Sequence, residues 1–339
     1  MNPAINTSIS LLSKRESSII KGMLILLIIL GHNGILMGKA PGLTVTSFNN
    51  YLYSFHVYCF LFLPFLYNIP LFTKERIKKN FIHLYKPYTA AFLLLLLISL
   101  FSSPKTNLVG IIWAYISGSE PLLKTNIGAS FIWFLPTMFS LLLMRDFFMK
   151  KGKKLTGITL LSFIILSLYS VFNIIPYNAT NYFILGMFTA IRYLGMAILL
   201  RFLTEKYINN RLFIYIIIAF AIISSTLFFC LYNTNNFLII KKVNANILLP
   251  ILMFLSIINI VKLLSNIQIL NIFEKLGSIS LEIYIIHVFI YNAFLIISIK
   301  LGYELNFWLG ITTLALTIIA TISIISITKK TRLYKFIFK

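Results

Sequence analysis

Apolar residues along this chain come in blocks of about twenty, the length a helix needs to cross a bilayer, with polar and basic residues gathered between them. The blocks fall near 19–37, 51–69, 85–103, 130–149, 155–175, 182–203, 211–232, 244–265, 278–299 and 306–328. The pattern predicts an all-α polytopic membrane protein with about ten transmembrane helices. The longest connection expected outside the spans is 104–129, and its middle, LVGIIWAYISG, is too short to span and reads as an interfacial or re-entrant piece. Gly and Pro spacing carries no internal repeat, so an inverted-repeat transporter gains no support.

Composition strengthens this picture. Only 11% of the 339 residues are charged and 59% are hydrophobic, whereas a soluble domain is about 25% charged. The formal charge of +22 raises nucleic acid as a partner, but its distribution argues against one. Lysines and arginines cluster between apolar blocks, as the positive-inside rule predicts for cytoplasmic loops, and form no aromatic-interleaved basic face. Clusters at Lys14, Arg15 and Lys21, at Lys74 to Lys86, at Arg145 to Lys154, at Arg201 to Arg211, and after Lys329 alternate with weakly charged connections. Both termini are therefore expected in the cytoplasm. The domain reading is a cytoplasmic segment 1–18, a membrane domain 19–328 and a basic cytoplasmic tail 329–339. The first span reads as a retained helix, since His32 and Asn33 interrupt the apolar core that a cleaved signal would need. Cys59 and Cys230 lie in apolar runs and read as packing residues.

Polar residues within apolar blocks are the candidate chemistry, because an ionisable group at membrane depth is costly. His32 lies in the first block, eleven positions after Lys21. On a helix that offset returns to one face, about 16 Å further along the axis. His56 falls near the outer end of the second block and His287 near the middle of the ninth. Each either hydrogen-bonds a neighbouring helix or lines a shared cavity. Around His287, the positions Gly277, Ser280, Tyr284, His287 and Tyr291 recur three or four apart, a polar stripe on an apolar helix. Arg192, deep in the sixth block, must face a carboxylate such as Glu282, carbonyls, water or an anionic ligand. Metal binding is not expected, for no paired His or Cys spacing occurs, and hydrolase or nucleotide motifs are missing.

Five elements in order resemble the acyltransferase family 3 membrane proteins, especially their fucose 4-O-acetylase-like branch. They are Lys21-GMLILLIILG-His32, Ser54-Phe55-His56, Lys86-Pro87-Tyr88, Trp133-Phe134-Leu135-Pro136 and the run from Leu276 through Glu282 and Tyr284 to His287. The chain departs from the family pattern at Ser18, at Val57-Tyr58-Cys59 and at Leu66-Tyr67-Asn68. The resemblance covers nearly the whole chain and implies ten spans in a plasma membrane. It also implies O-acyl transfer, with acetyl-CoA as donor substrate and a hydroxyl of a cell-surface polysaccharide or its lipid-linked precursor as acceptor.

On that reading His32 is the catalytic base or acyl carrier. Lys21, Arg15 and Lys86 face the donor's phosphates, while His56, Trp133, Arg192, Tyr284 and His287 line the acceptor side. Membrane lipid surrounds the chain, and a homodimer or a glycan-synthesis complex is the assembly the reading allows. Two competing readings stay open: an exporter of polysaccharide or small solutes on the same helices, and a scaffold subunit.

Overall fold

The computed structural model describes residues 10–39, 45–67, 72–102, 107–128, 131–148, 181–208, 210–232 and 237–338, with positions 157, 161 and 165. Among them every regular element is helical and no strand occurs. In chain order these are α1 (Lys14–His32), α2 (Gly34–Lys39), α3 (Val45–Tyr53), α4 (His56–Phe62), α5 (Lys74–Ser102), α6 (Leu108–Ser117), α7 (Glu120–Ile127) and α8 (Phe134–Phe148). There follow α9 (Met187–Tyr207), α10 (Arg211–Tyr232), α11 (Leu238–Val243), α12 (Leu249–Leu264), α13 (Leu270–Ser278), α14 (Ser280–Lys300), α15 (Phe307–Thr328) and α16 (Arg332–Phe338).

Among the described residues, six helices are long and apolar enough to cross a membrane: Lys74–Phe101, Met187–Tyr207, Arg211–Tyr232, Leu238–Leu264, Ser280–Lys300 and Phe307–Thr328. Their outward faces are apolar, with Leu97 and Ile98 on α5 and Phe220 and Ile223 on α10 largely exposed, as lipid contact requires. The expected tenfold pattern differs at three described places and for stated reasons. The block 19–37 is two helices, because Asn33 offers its side chain to the backbone: Oδ1 accepts from Leu36 N at 2.9 Å and starts α2. Its Nδ2 donates to the Gly310 carbonyl at 2.9 Å. The block 51–69 breaks at Ser54 and Phe55 into α3, α4 and a 3-10 turn, Leu63–Leu66, around Pro64. The block 130–149 is a 3-10 turn, Phe131–Trp133, followed by the fifteen-residue α8. Of the block 155–175 only positions 157, 161 and 165 are described, and all three are helical.

Two further expectations are corrected. The basic run from Lys74 to Lys86 is helix, not loop, because straight-chain Lys, Glu and Arg extend α5 by three turns ahead of its apolar part. The polar stripe around His287 is interrupted, since Gly277 belongs to α13 and Ile279 ends that helix before Ser280 opens α14. The short segment LVGIIWAYISG does form its own apolar helix, α6, capped by Asn107 and stopped by Gly118 at φ 60°.

The chain divides into two compact units. One holds Leu11–Leu63 with Leu203–Thr331, and the other Pro64–Phe202 with Arg332–Lys339. In the first, α1 is opened by a capping box, Ser13 Oγ accepting from Glu16 N at 3.1 Å and Glu16 accepting from Ser13 N at 2.6 Å. It lies directly on α13. A Cβ at Gly22 would fall on the Phe273 carbonyl, and one at Gly277 on the Ser18 carbonyl. Only glycine at both positions lets these backbones approach so closely. In the second unit α5 packs on α8 through Tyr85, Phe81 and Phe139, and Tyr88 donates to the Tyr115 carbonyl at 3.0 Å.

Candidate functional site

The first unit brings three histidines together. α1 ends on His32, α4 begins on His56, and α14 presents His287 one turn after Tyr284. His56 and His287 are wholly buried. His32 Nδ1 lies 2.8 Å from His287 Nε2, with the two rings 5.0 Å apart between centroids. His287 Nδ1 lies 2.8 Å from the Ile283 carbonyl in the preceding turn.

These partners fix the proton positions. A carbonyl only accepts, so His287 carries its hydrogen on Nδ1 and offers the lone pair of Nε2. His32 must then donate from Nδ1, which leaves its own lone pair on Nε2. The result is an ordered chain from the Ile283 carbonyl through His287 to His32, whose lone pair is on Nε2. A base held in one tautomer by a second group is the arrangement that general-base and nucleophilic catalysis both need.

Other groups hold this chain in place. The Tyr291 hydroxyl accepts from Ile35 N at 3.1 Å, tying α14 to the restart of α2 just beyond His32. Tyr53 lies edge-on to His32 at 6.0 Å and to His56 at 4.9 Å. Tyr284 is buried, its ring 6.4 Å from that of His287. Lys21 stands on the same unbroken helix as His32, eleven residues earlier. Arg15 has protein partners: its guanidinium meets Glu274 at 3.3 Å and Asn271 at 2.8 Å, pinning the start of α1 to α13.

The remaining sequence candidates belong to the second unit. Lys86 Nζ sits over the Phe336 ring at 5.3 Å, on the C-terminal helix α16. Trp133 ends the 3-10 turn before α8, half-buried and edge-on to Phe134 at 6.3 Å. Arg192 lies on α9 with its guanidinium 5.2 Å from the Tyr193 ring centre.

This unit also holds a charged cluster that the sequence reading assigned to cytoplasmic loops. Arg145 and Asp146 lie within α8 and are buried, as is Arg201 in α9. Asp146 accepts from Arg145 Nε at 2.8 Å and from Arg76 Nε at 2.8 Å. Arg145 also donates to the Pro64 carbonyl at 2.8 Å, and Arg201 to the carbonyls of Phe65 and Tyr67. The signal that marks the cluster is Asp146 itself, a carboxylate placed at the edge of an apolar block. Asn33 and Tyr53 were likewise missed; both adjoin candidate histidines in sequence or space, and Asn33 is polar inside an apolar run.

Residues 16–328 match the family model Acyl_transf_3, described as an acyltransferase domain. No curated protein and no solved structure matches the chain.

Proposed function

The chain belongs to acyltransferase family 3 and is a multi-pass membrane acyltransferase, and from that premise we propose that it moves an acetyl group from cytoplasmic acetyl-CoA to a glycan hydroxyl. The acceptor is a cell-surface polysaccharide or its lipid-linked precursor, as in the fucose 4-O-acetylase-like branch. The reading includes the plasma membrane and cytoplasmic termini, on the excess of basic residues at the ends of the apolar blocks.

The observation that carries it is the His32–His287–Ile283 chain, which supplies an oriented base at membrane depth. The acceptor hydroxyl gives its proton to His32 Nε2 as its oxygen attacks the thioester carbonyl. The carbon–sulfur bond then breaks, and the departing thiolate takes the proton from His32. Relay through an acyl group on His32 Nε2 uses the same geometry in two steps. Lys21 stands about 16 Å nearer the start of the helix, a separation that suits a phosphate at one end of the pantetheine arm and a thioester at the other. Arg15 adds positive charge at the start of the same helix, and His56 and Tyr284 serve the acceptor.

The test is mass spectrometry of surface glycan from cells with and without the gene. Loss of the acetyl increment from an otherwise intact polymer supports the enzyme; loss of the polymer itself selects the exporter reading and overturns this one. For the donor, Lys21→Glu is expected to weaken acetyl-CoA binding about tenfold or more, the scale of losing one charge-assisted phosphate contact. Equal acetyl-CoA affinity in titrations of the purified wild-type and variant proteins would remove Lys21 from the donor site.

A further inference from the structure

His56 is wholly buried, and its Nδ1 is committed to the Leu52 carbonyl one turn earlier. Because that carbonyl only accepts, the hydrogen is on Nδ1 and the lone pair on Nε2. This Nε2 is shut off from solvent and has no hydrogen-bond partner among the described residues. A buried acceptor left unpaired is costly, and such atoms are retained where a ligand or a reaction uses them.

The ring edge that carries this atom lies against α1 at Gly31, where an added Cβ would be 3.7 Å from both Cε1 and Nε2 and 3.3 Å from the edge of the Tyr53 ring. Glycine therefore keeps open a space about one methyl group wide in front of the nitrogen. The next residue is His32, and Tyr53 covers both imidazoles edge-on. Two imidazoles thus flank one glycine, each with Nδ1 committed and its lone pair on Nε2.

We propose that His56 is a positioning residue of the acyl-transfer site: its Nε2, across Gly31, accepts a hydrogen bond from an N–H or O–H group of the reacting substrate and sets that group beside His32. The inference rests on the acyltransferase reading. The donor group comes either from the pantetheine amide next to the thioester or from the acceptor hydroxyl. The contact is a hydrogen bond only, with no proton moved to His56.

The test uses the full-length protein as His56→Leu, His56→Gln and Gly31→Ala variants, with acetyl-CoA affinity and acetyl transfer into the endogenous glycan of native membranes as readouts. His56→Leu is expected to lower transfer at least tenfold. His56→Gln, whose amide oxygen reaches the place of Nε2, is expected to recover most of it. Gly31→Ala leaves both histidines in place and fills the space, so it lowers transfer without lowering the thermal midpoint, and it carries the test if His56→Leu does not fold. A raised KM for acetyl-CoA identifies the amide as the source; unchanged acetyl-CoA affinity with slowed transfer identifies the hydroxyl. Equal transfer by the Leu and Gln variants, or wild-type transfer by Gly31→Ala, overturns the proposal. Failure of this inference alone would appear as His56→Leu active and His32→Ala inactive. A wild-type chain that transfers no acetyl group would end both.

Discussion

Replacing His32 with alanine is expected to cut acyl transfer by about 10²–10⁴-fold, the range that one positioned acid–base group supplies. The chain should remain folded, since α1 is held by its capping box and by the close α1–α13 approach at Gly22 and Gly277, none of which involves His32. The companion variant separates chemistry from packing. His287→Leu removes the acceptor that orients His32 Nδ1 and frees the ring to turn, at a cost of about 100-fold for a misplaced reacting group. His287→Gln presents an amide oxygen that accepts from the same Nδ1–H and should recover part of that loss. Because the two histidines act as one unit, the double variant His32→Ala with His287→Leu should be no slower than His32→Ala alone. Single-turnover acetyl transfer measured in membranes checks the series. Wild-type rates for His287→Leu would show that the pair is only a packing contact.

Much of the site was legible because membrane depth makes polar residues conspicuous. His32, His56 and His287 stood out as ionisable groups in apolar blocks, and the structure brings these three into one unit. Their pairing was not legible, since which ring nitrogen meets which partner depends on the helix break at Asn33 and on the start of α4 at His56. Those breaks escaped a reading by hydropathy. Asn33 and Ser54 shift the average over a block very little, but each redirects backbone hydrogen bonds and ends a helix.

The long uninterrupted helices behaved differently. The expected 211–232 and 306–328 blocks match α10 and α15 within a residue, because their Ser and Thr hydroxyls donate back to carbonyls one turn earlier without breaking the backbone ladder, and Asn306 caps α15 by accepting from Leu309 N at 2.9 Å. The same reasoning explains the error at Arg145 and Arg201. Charge counting sends every arginine near a block edge to a loop, whereas a guanidinium can be satisfied within protein by carbonyls and one carboxylate. Sequence alone does not reveal that the carbonyls of Pro64, Phe65 and Tyr67 are turned toward those arginines.

Asp146→Ala is expected to destabilise the second unit by about 3–5 kcal/mol, the cost of leaving buried charge without its counterion. Arg145 is 2% exposed and would keep only the Pro64 carbonyl among the partners described above, while Arg76, one-third exposed, can turn to water. The loss should therefore come from Arg145 more than from Arg76. Asp146→Asn keeps an oxygen acceptor and loses the charge, so its penalty should fall between wild type and Ala. Replacing both members of the adjacent pair, Arg145→Met with Asp146→Leu, removes the charges together and should recover much of the stability, because well-packed apolar residues replace a buried pair at little cost. Thermal unfolding of the four proteins in detergent, read by loss of helical signal, checks the order wild type, double variant, Asn, Ala. If Asp146→Ala alone melts with wild type, Arg145 is satisfied by the Pro64 carbonyl and Arg76 by water, and the cluster contributes nothing through its charge.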